Sequence, residues 1–245
     1  MNERNYERGY ESGPESSYVY DEKYQSLRDI FFSKCIPTLF IGMVLWMFST
    51  LSYGGVLAPL HLNLPILIGS YFGYFIGWIA VLVLASKREN TAAMIIFWAT
   101  SWVSGIVQAP IIFWASGMLG STRAAGELFF VASLMGVLAT GGALFAGRYF
   151  GKRISRQLMW TALIGILILS ITESILMWIF NFNTVILWTS IIMFGLLFIT
   201  VLYDGAHLKE TVAHSWMLAV ATIFIDVMVM VIRIFIILVS ILADR

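Results

Sequence analysis

Residues 215–242 read SWMLAVATIFIDVMVMVIRIFIILVSIL, and this stretch decides the class of fold. A helix crossing about 30 Å of hydrocarbon needs about 20 mostly apolar residues. Here 28 residues run together with only two charges among them, Asp226 and Arg233. The apolar residues are continuous rather than alternating, so the stretch reads as a helix and not as a strand of a membrane barrel. Working outward, six more stretches meet the same rule: Cys35–Gly54, Pro65–Ser86, Thr91–Met118, Leu128–Ala146, Leu158–Phe180 and Val185–Tyr203. The expected fold is all-α, a polytopic membrane protein with seven transmembrane helices over residues 35–242. A disordered cytoplasmic tail, residues 1–34, precedes them.

Composition points the same way. Of 245 residues, 60% are hydrophobic and 12% charged, with a mean hydropathy of +0.86. Soluble domains are about half apolar and a quarter charged, so a soluble globular protein is excluded. A net charge of +1 leaves no electrostatic footprint for nucleic acid. The single cysteine, Cys35, excludes an internal disulfide and a multi-cysteine metal site. The tail holds 7 of the 14 acids by residue 29, together with five tyrosines, and lacks the aliphatic content to fold alone. Its first residues, MNERNYERGYESG, contain no apolar run to serve as a cleaved signal peptide.

Lys and Arg in the short connections set the orientation. Lys23, Arg28 and Lys34 precede the first stretch; Lys87 and Arg88, then Arg148, Lys152, Arg153 and Arg156, then Lys209 fall on the same side, and Arg123 alone on the other. Ten against one makes the tail side cytoplasmic. Local signals mark several boundaries. Asn63 precedes Leu64–Pro65, where proline in a first turn costs little. Asn90–Thr91 and Asn183–Thr184 are expected to cap the third and sixth stretches. Pro110 should kink the third.

An ionisable group inside a span costs roughly 2.5–3.5 kcal/mol on insertion scales and needs a reason. Asp226 is the deepest, with Arg233 two turns further along the same face; Glu173 lies in the fifth stretch and Asp204 follows Tyr203 at the end of the sixth. Glu173 and Arg233 read first as packing residues and second as a proton relay. Asp226 has no cation within a turn, which makes it a proton or cation site. Enzyme and pigment chemistries lack their parts. The last stretch holds no lysine for a retinal Schiff base; Trp114–Ala115–Ser116–Gly117 has Trp where a serine protease motif needs its first Gly; and Tyr203–Asp204 has no GxGD partner at Asp226. His61, His207 and His214 are assigned to connections, without the spacing of a metal site.

At these aspartates the chain resembles the Bax inhibitor-1 family, the transmembrane Bax inhibitor motif proteins. Val201–Leu202–Tyr203–Asp204 is similar to that family's LYD, Phe224–Ile225–Asp226–Val227 to its acidic last helix, and Ser104–Gly105 with Pro110 to its SG…P pattern. The basic cluster Arg148 to Arg156 is similar to one between the family's fourth and fifth helices. The resemblance covers about Asp29 to Ile237. It implies a last helix surrounded by the other six, and a calcium leak that responds to pH. It also implies a proton-sharing pair at Asp204 and Asp226 that would hold Ca²⁺ transiently. An arginine after the family's second helix latches that pair; Lys87 falls at its position, with Arg88 beside it. No resident cofactor is implied: Ca²⁺ is the permeant ion, and the partners are the bilayer, Ca²⁺ and protons.

Three functions follow in order. The first is a pH-sensitive calcium leak or cation channel, not an enzyme. The second is a proton-coupled transporter that uses Asp226 and Glu173. The third is a membrane adaptor acting through its tail. The compact connections point to a prokaryotic plasma membrane; in a eukaryotic cell an endomembrane would be the place.

Overall fold

The structure, a computed structural model, describes residues 26–57, 63–180 and 183–243, with side chains at all but 152, 167, 170–180 and 183–185 of them. Among these residues there is no strand. The helices are α1 (Ser26–Tyr53), α2 (Leu64–Ser86), α3 (Asn90–Leu119), α4 (Thr122–Phe150), α5 (Arg156–Phe180), α6 (Asn183–His214) and α7 (Trp216–Ala243). Six of them, all but α5, are long and apolar enough within the described residues to cross a membrane. The chain is an integral multi-pass membrane protein.

The most apolar window of α7 is 56% buried, against 11% for α2. It packs against α1, α2, α3, α4 and α6, while α5 packs on α6. Phe224 of α7 is the hub of an aromatic cluster. Its ring centroid lies 6.3 Å from Trp46 of α1, 5.6 Å from Trp78 of α2 and 5.1 Å from Phe97 of α3. Trp46 also meets Phe129 of α4 at 5.6 Å, and Phe129 meets Phe235 of α7 at 5.3 Å. Lipid tails are as apolar as leucine, so it is this interlocking of large side chains, not escape from water, that holds the helices together.

Close backbone approach requires glycine at several helix crossings, among them that of α4 and α6, where a Cβ at Gly147 or Gly205 would meet the backbone of the facing helix. A Cβ at Gly105 of α3 would collide with Ser49 Oγ and the Trp46 carbonyl of α1. One at Gly136 of α4 would lie 3.1 Å from the Val231 backbone of α7. The Ser104–Gly105 pair is therefore a crossing point of α1 and α3.

At Pro110, where a kink is expected, the hydrogen bonding of α3 is interrupted while Ala109 keeps helical backbone at φ −52 and ψ −35. Helix α3 divides at Ala109 into Asn90–Gln108 and Pro110–Leu119. Proline has no N–H for the Ile106 carbonyl, which takes the Ala109 N–H at 3.3 Å instead. Gln108 then receives the indole N–H of the fully buried Trp46 at 2.8 Å. In α1 a π-turn, Phe31–Cys35, precedes Pro37. A wider turn there accommodates a ring that would otherwise press on the carbonyl one turn back.

Caps and boundaries differ in part from the sequence reading. Asn63 caps α2 as expected, accepting from Ile66 N at 3.0 Å. Asn90 does not cap α3, whose start has no side-chain cap. Its Oδ1 accepts from Ser215 Oγ at 2.8 Å and Met217 N at 3.3 Å, so it caps α7. The side chains of Asn183 and Thr184 lie outside the described residues. Helix α4 begins at Thr122 rather than Leu128: Gly120, at φ 67, ends α3, and Ser121 caps α4 through Ala124 N at 3.2 Å. Residues 26–34, assigned to the tail, are helical; the rest of the tail lies outside the described residues.

The largest correction concerns residues 204–214, read as a connection. They continue α6, so that Ser215 alone separates α6 from α7. His207 and His214 are accordingly helical residues; His61 is outside the described residues. Hydropathy falls at DGAHLKETVAH, but hydropathy reports membrane depth and not helicity, and Ala206, Leu208, Lys209, Glu210 and Ala213 are sound helix formers in a stretch without proline.

Candidate functional site

Helices α6 and α7 form a tight antiparallel hairpin around Ser215, whose Oγ caps α7 by accepting from Leu218 N at 3.2 Å. Asp204 lies eleven residues before Ser215 and Asp226 eleven after it. At 1.5 Å per residue both stand about 16 Å from the turn. The two acids are level. Asp204 is half-buried, and Asp226 is only 8% exposed. His207 lies one turn beyond Asp204 on α6.

Asp226 Oδ2 is buried and has no hydrogen-bond partner among the described residues. The same holds for Thr140 Oγ1 of α4. Leu144 of α4 shares a cavity with Thr222 of α7, while Gly136 lies on Val231, so the two helices run antiparallel. That register brings Thr140 level with Asp226. Three helices thus converge oxygen-bearing side chains at one depth, with unused hydrogen-bonding capacity in the core. Beside them a cavity of about 180 Å³ runs from Asp204 toward the Ser215 end, lined by Leu144, Leu208, Thr211 and Thr222.

The sequence reading anticipated Asp204 and Asp226 but neither Thr140, Thr222 nor His207. Thr222 sits one turn before Asp226, and His207 three residues after Asp204, spacings that share a helix face. Once residues 204–214 are helical, both are legible. The His207 ring stacks on Tyr203 at 4.2 Å and its Nδ1 meets the Tyr203 carbonyl at 2.9 Å. Thr140 carries no signal in the sequence.

The other candidates stand apart. Lys87 and Arg88 are exposed at the end of α2 and make no ion pair with either aspartate. They lie just before Asn90, which bonds to Ser215 at the turn, whereas the acids are about 16 Å deeper by helix rise. A lysine or arginine side chain does not reach that far, so the latch implied by the resemblance is not formed in this structure. Arg233 is half-buried on α7, two turns beyond Asp226 on the side away from Ser215. Glu173 belongs to α5, with its side chain outside the described residues. Among the described residues no three His, Cys, Asp or Glu side chains gather as a metal site. The two carboxylates could offer only part of a Ca²⁺ shell, which takes 6–8 oxygens, and water would supply much of the rest.

No protein-family model matches the chain, and no curated protein matches it as a relative.

Proposed function

We propose that this protein is a pH-sensitive cation leak, for Ca²⁺, of the Bax inhibitor-1 type, in which Asp204 and Asp226 share a proton. The reading includes seven crossings, with α5 as the fifth, and a cytoplasmic tail, as the distribution of Lys and Arg favours. The observation that carries it is the level placement of two carboxyls on adjacent arms of one hairpin, one of them buried with an unpartnered oxygen.

Two carboxylates in one largely buried site cannot both be charged cheaply, so they hold and release protons as a unit. The shared proton ties α6 to α7. The two carboxyls are not hydrogen-bonded to each other in this structure. In the proposed cycle, protonation brings them into contact, and loss of the proton leaves repulsion and presents hard oxygens to a divalent cation, the ligand type Ca²⁺ takes. One proton equilibrium then biases two helix packings, as a gate requires. Lys87 and Arg88 have no part in this state.

The test is Ca²⁺ flux into proteoliposomes of purified protein, followed across about pH 5 to 8, the range in which the gate is expected to act. A flux that varies with pH at zero proton gradient supports the leak. A flux that requires a proton gradient, and that Glu173→Gln abolishes, establishes the coupled transporter instead. No flux of any cation leaves the adaptor reading.

A further inference from the structure

A second and larger cavity, of about 820 Å³, lies between the start of α1 and the ends of α4 and α6. Its volume falls within the range of about 300–1,000 Å³ usual for small-ligand sites. Neither aspartate lines it, though Leu144 and Leu208 form a wall common to it and to the smaller cavity beside Asp204. Its walls are apolar, with Phe32 and Phe145 exposed at 59% and 64%, and Gly141 leaves the floor flat. Arg28, Arg148 and Lys209 line it from three different helices, and no acidic side chain among the described residues does. The Arg28 guanidinium lies over the Phe32 ring, 6.0 Å from its centroid.

An apolar trough with cations gathered from three helices at one end of a membrane bundle has the chemistry of an anionic amphiphile reversed. We propose that this groove binds an anionic phospholipid, with its headgroup phosphate at Arg28 and Arg148 and an acyl chain along Phe32, Phe145 and Gly141. The guanidinium forks of Arg28 and Arg148 match phosphate geometry. The apolar wall explains why the ligand is a lipid and not free phosphate. A zwitterionic headgroup carries a cation of its own that this rim repels.

Native mass spectrometry of the full-length protein in uncharged detergent, titrated with phosphatidylglycerol or phosphatidylcholine of matched chains, tests this. Phosphatidylglycerol should be retained at a several-fold lower concentration. Each of Arg28→Gln and Arg148→Gln should weaken its retention about fivefold, the effect of one basic side chain near an anionic headgroup, and should leave phosphatidylcholine unchanged. Gly141→Leu fills the floor without altering charge; a Cβ there meets open space, so the helix tolerates it. It should lower retention of both lipids. Equal retention of the two lipids by the unaltered protein overturns the proposal, whatever the variants do. So does displacement of phosphatidylglycerol by glycerol phosphate at equal concentration, which would mark a plain anion site. A photo-cross-linker at position 145 that captures residues 1–25 in the presence of lipid would give the groove to the tail and overturn it as well.

Discussion

Asp204 and Asp226 stand at the same depth because each lies eleven residues from Ser215, the single residue between α6 and α7. The relationship depends on α6 continuing as helix to His214. Had residues 204–214 formed a loop, Asp204 would sit near the bundle end and Asp226 far below it. A tight hairpin converts equal separation along the chain into equal height.

Removing titration from either acid should therefore have the same consequence. Asp226→Asn and Asp204→Asn keep shape and volume but cannot exchange the shared proton. Each is expected to flatten the dependence of Ca²⁺ flux on pH, so that rates at about pH 5 and pH 8 agree within about twofold. The double variant should be no flatter than either single one, because the pair acts as a unit. Stopped-flow fluorescence of a trapped Ca²⁺ dye measures this. An Asp204→Asn protein with the full pH response would detach Asp204 from the gate.

The depth of the pair relies on the turn staying closed, and Asn90 helps to close it. Its Oδ1 satisfies Ser215 Oγ and Met217 N, two donors at the start of α7. Asn90→Ala should cost about 1–2 kcal/mol, the usual loss for a helix cap. Ser215→Ala should cost a similar amount, and the double variant less than their sum, since the residues share one bond. Thermal unfolding in detergent for the three variants gives the coupling; strict additivity would mean that the bond contributes nothing.

Much of this architecture is legible in the sequence, for a physical reason. Hydropathy is a property of single residues summed over a window, so the apolar bodies of α1 to α4, α6 and α7 can be read directly. Asn63 and Pro110 act within their own helix and are equally plain. Asn90 is not, because its partner lies more than a hundred residues away at Ser215, and only packing brings α3 beside α7. Asp204 and Asp226 stood out as acids among apolar residues, but their common depth depended on a helix extension that hydropathy does not report. Thr140 joins the site through the antiparallel register of α4 with α7, which no local pattern encodes.

Gly105 and Gly117 give a paired test of the α1–α3 crossing. A Cβ at Gly105 would meet backbone, the Trp46 carbonyl and Thr50 N, as well as Ser49 Oγ. Backbone cannot rotate away, so Gly105→Ala should destabilise by about 1–3 kcal/mol, as overpacking does. At Gly117 a Cβ meets nothing within 4 Å. Gly117→Ala should be neutral or stabilising by about 0.5–1 kcal/mol, because alanine has less chain entropy to lose. Melting temperatures that fall equally for both would contradict the close crossing.

Arg88 distinguishes a structural from a functional role at the end of α2. It is the one non-glycine residue at positive φ among the described residues, at φ 64, and its N–H reaches the Ala85 carbonyl at 3.0 Å while Glu89 N reaches Leu84 at 2.9 Å. This closes the helix in a left-handed cap, a position that glycine fills best. Left-handed backbone costs an L-residue roughly 1–2 kcal/mol, of which glycine's greater freedom in the unfolded chain takes back about half. Arg88→Gly should then raise stability by up to about 1 kcal/mol. If Arg88 only ends the helix, the pH midpoint of Ca²⁺ flux should stay where it is in the unaltered protein. If instead it latches the aspartates in another state of the gate, the same variant should shift that midpoint while melting no lower. Lys87→Met, which leaves the cap intact, serves as the companion: a midpoint that moves in Lys87→Met and not in Arg88→Gly assigns the latch to Lys87. A midpoint unmoved in both removes the latch from the mechanism.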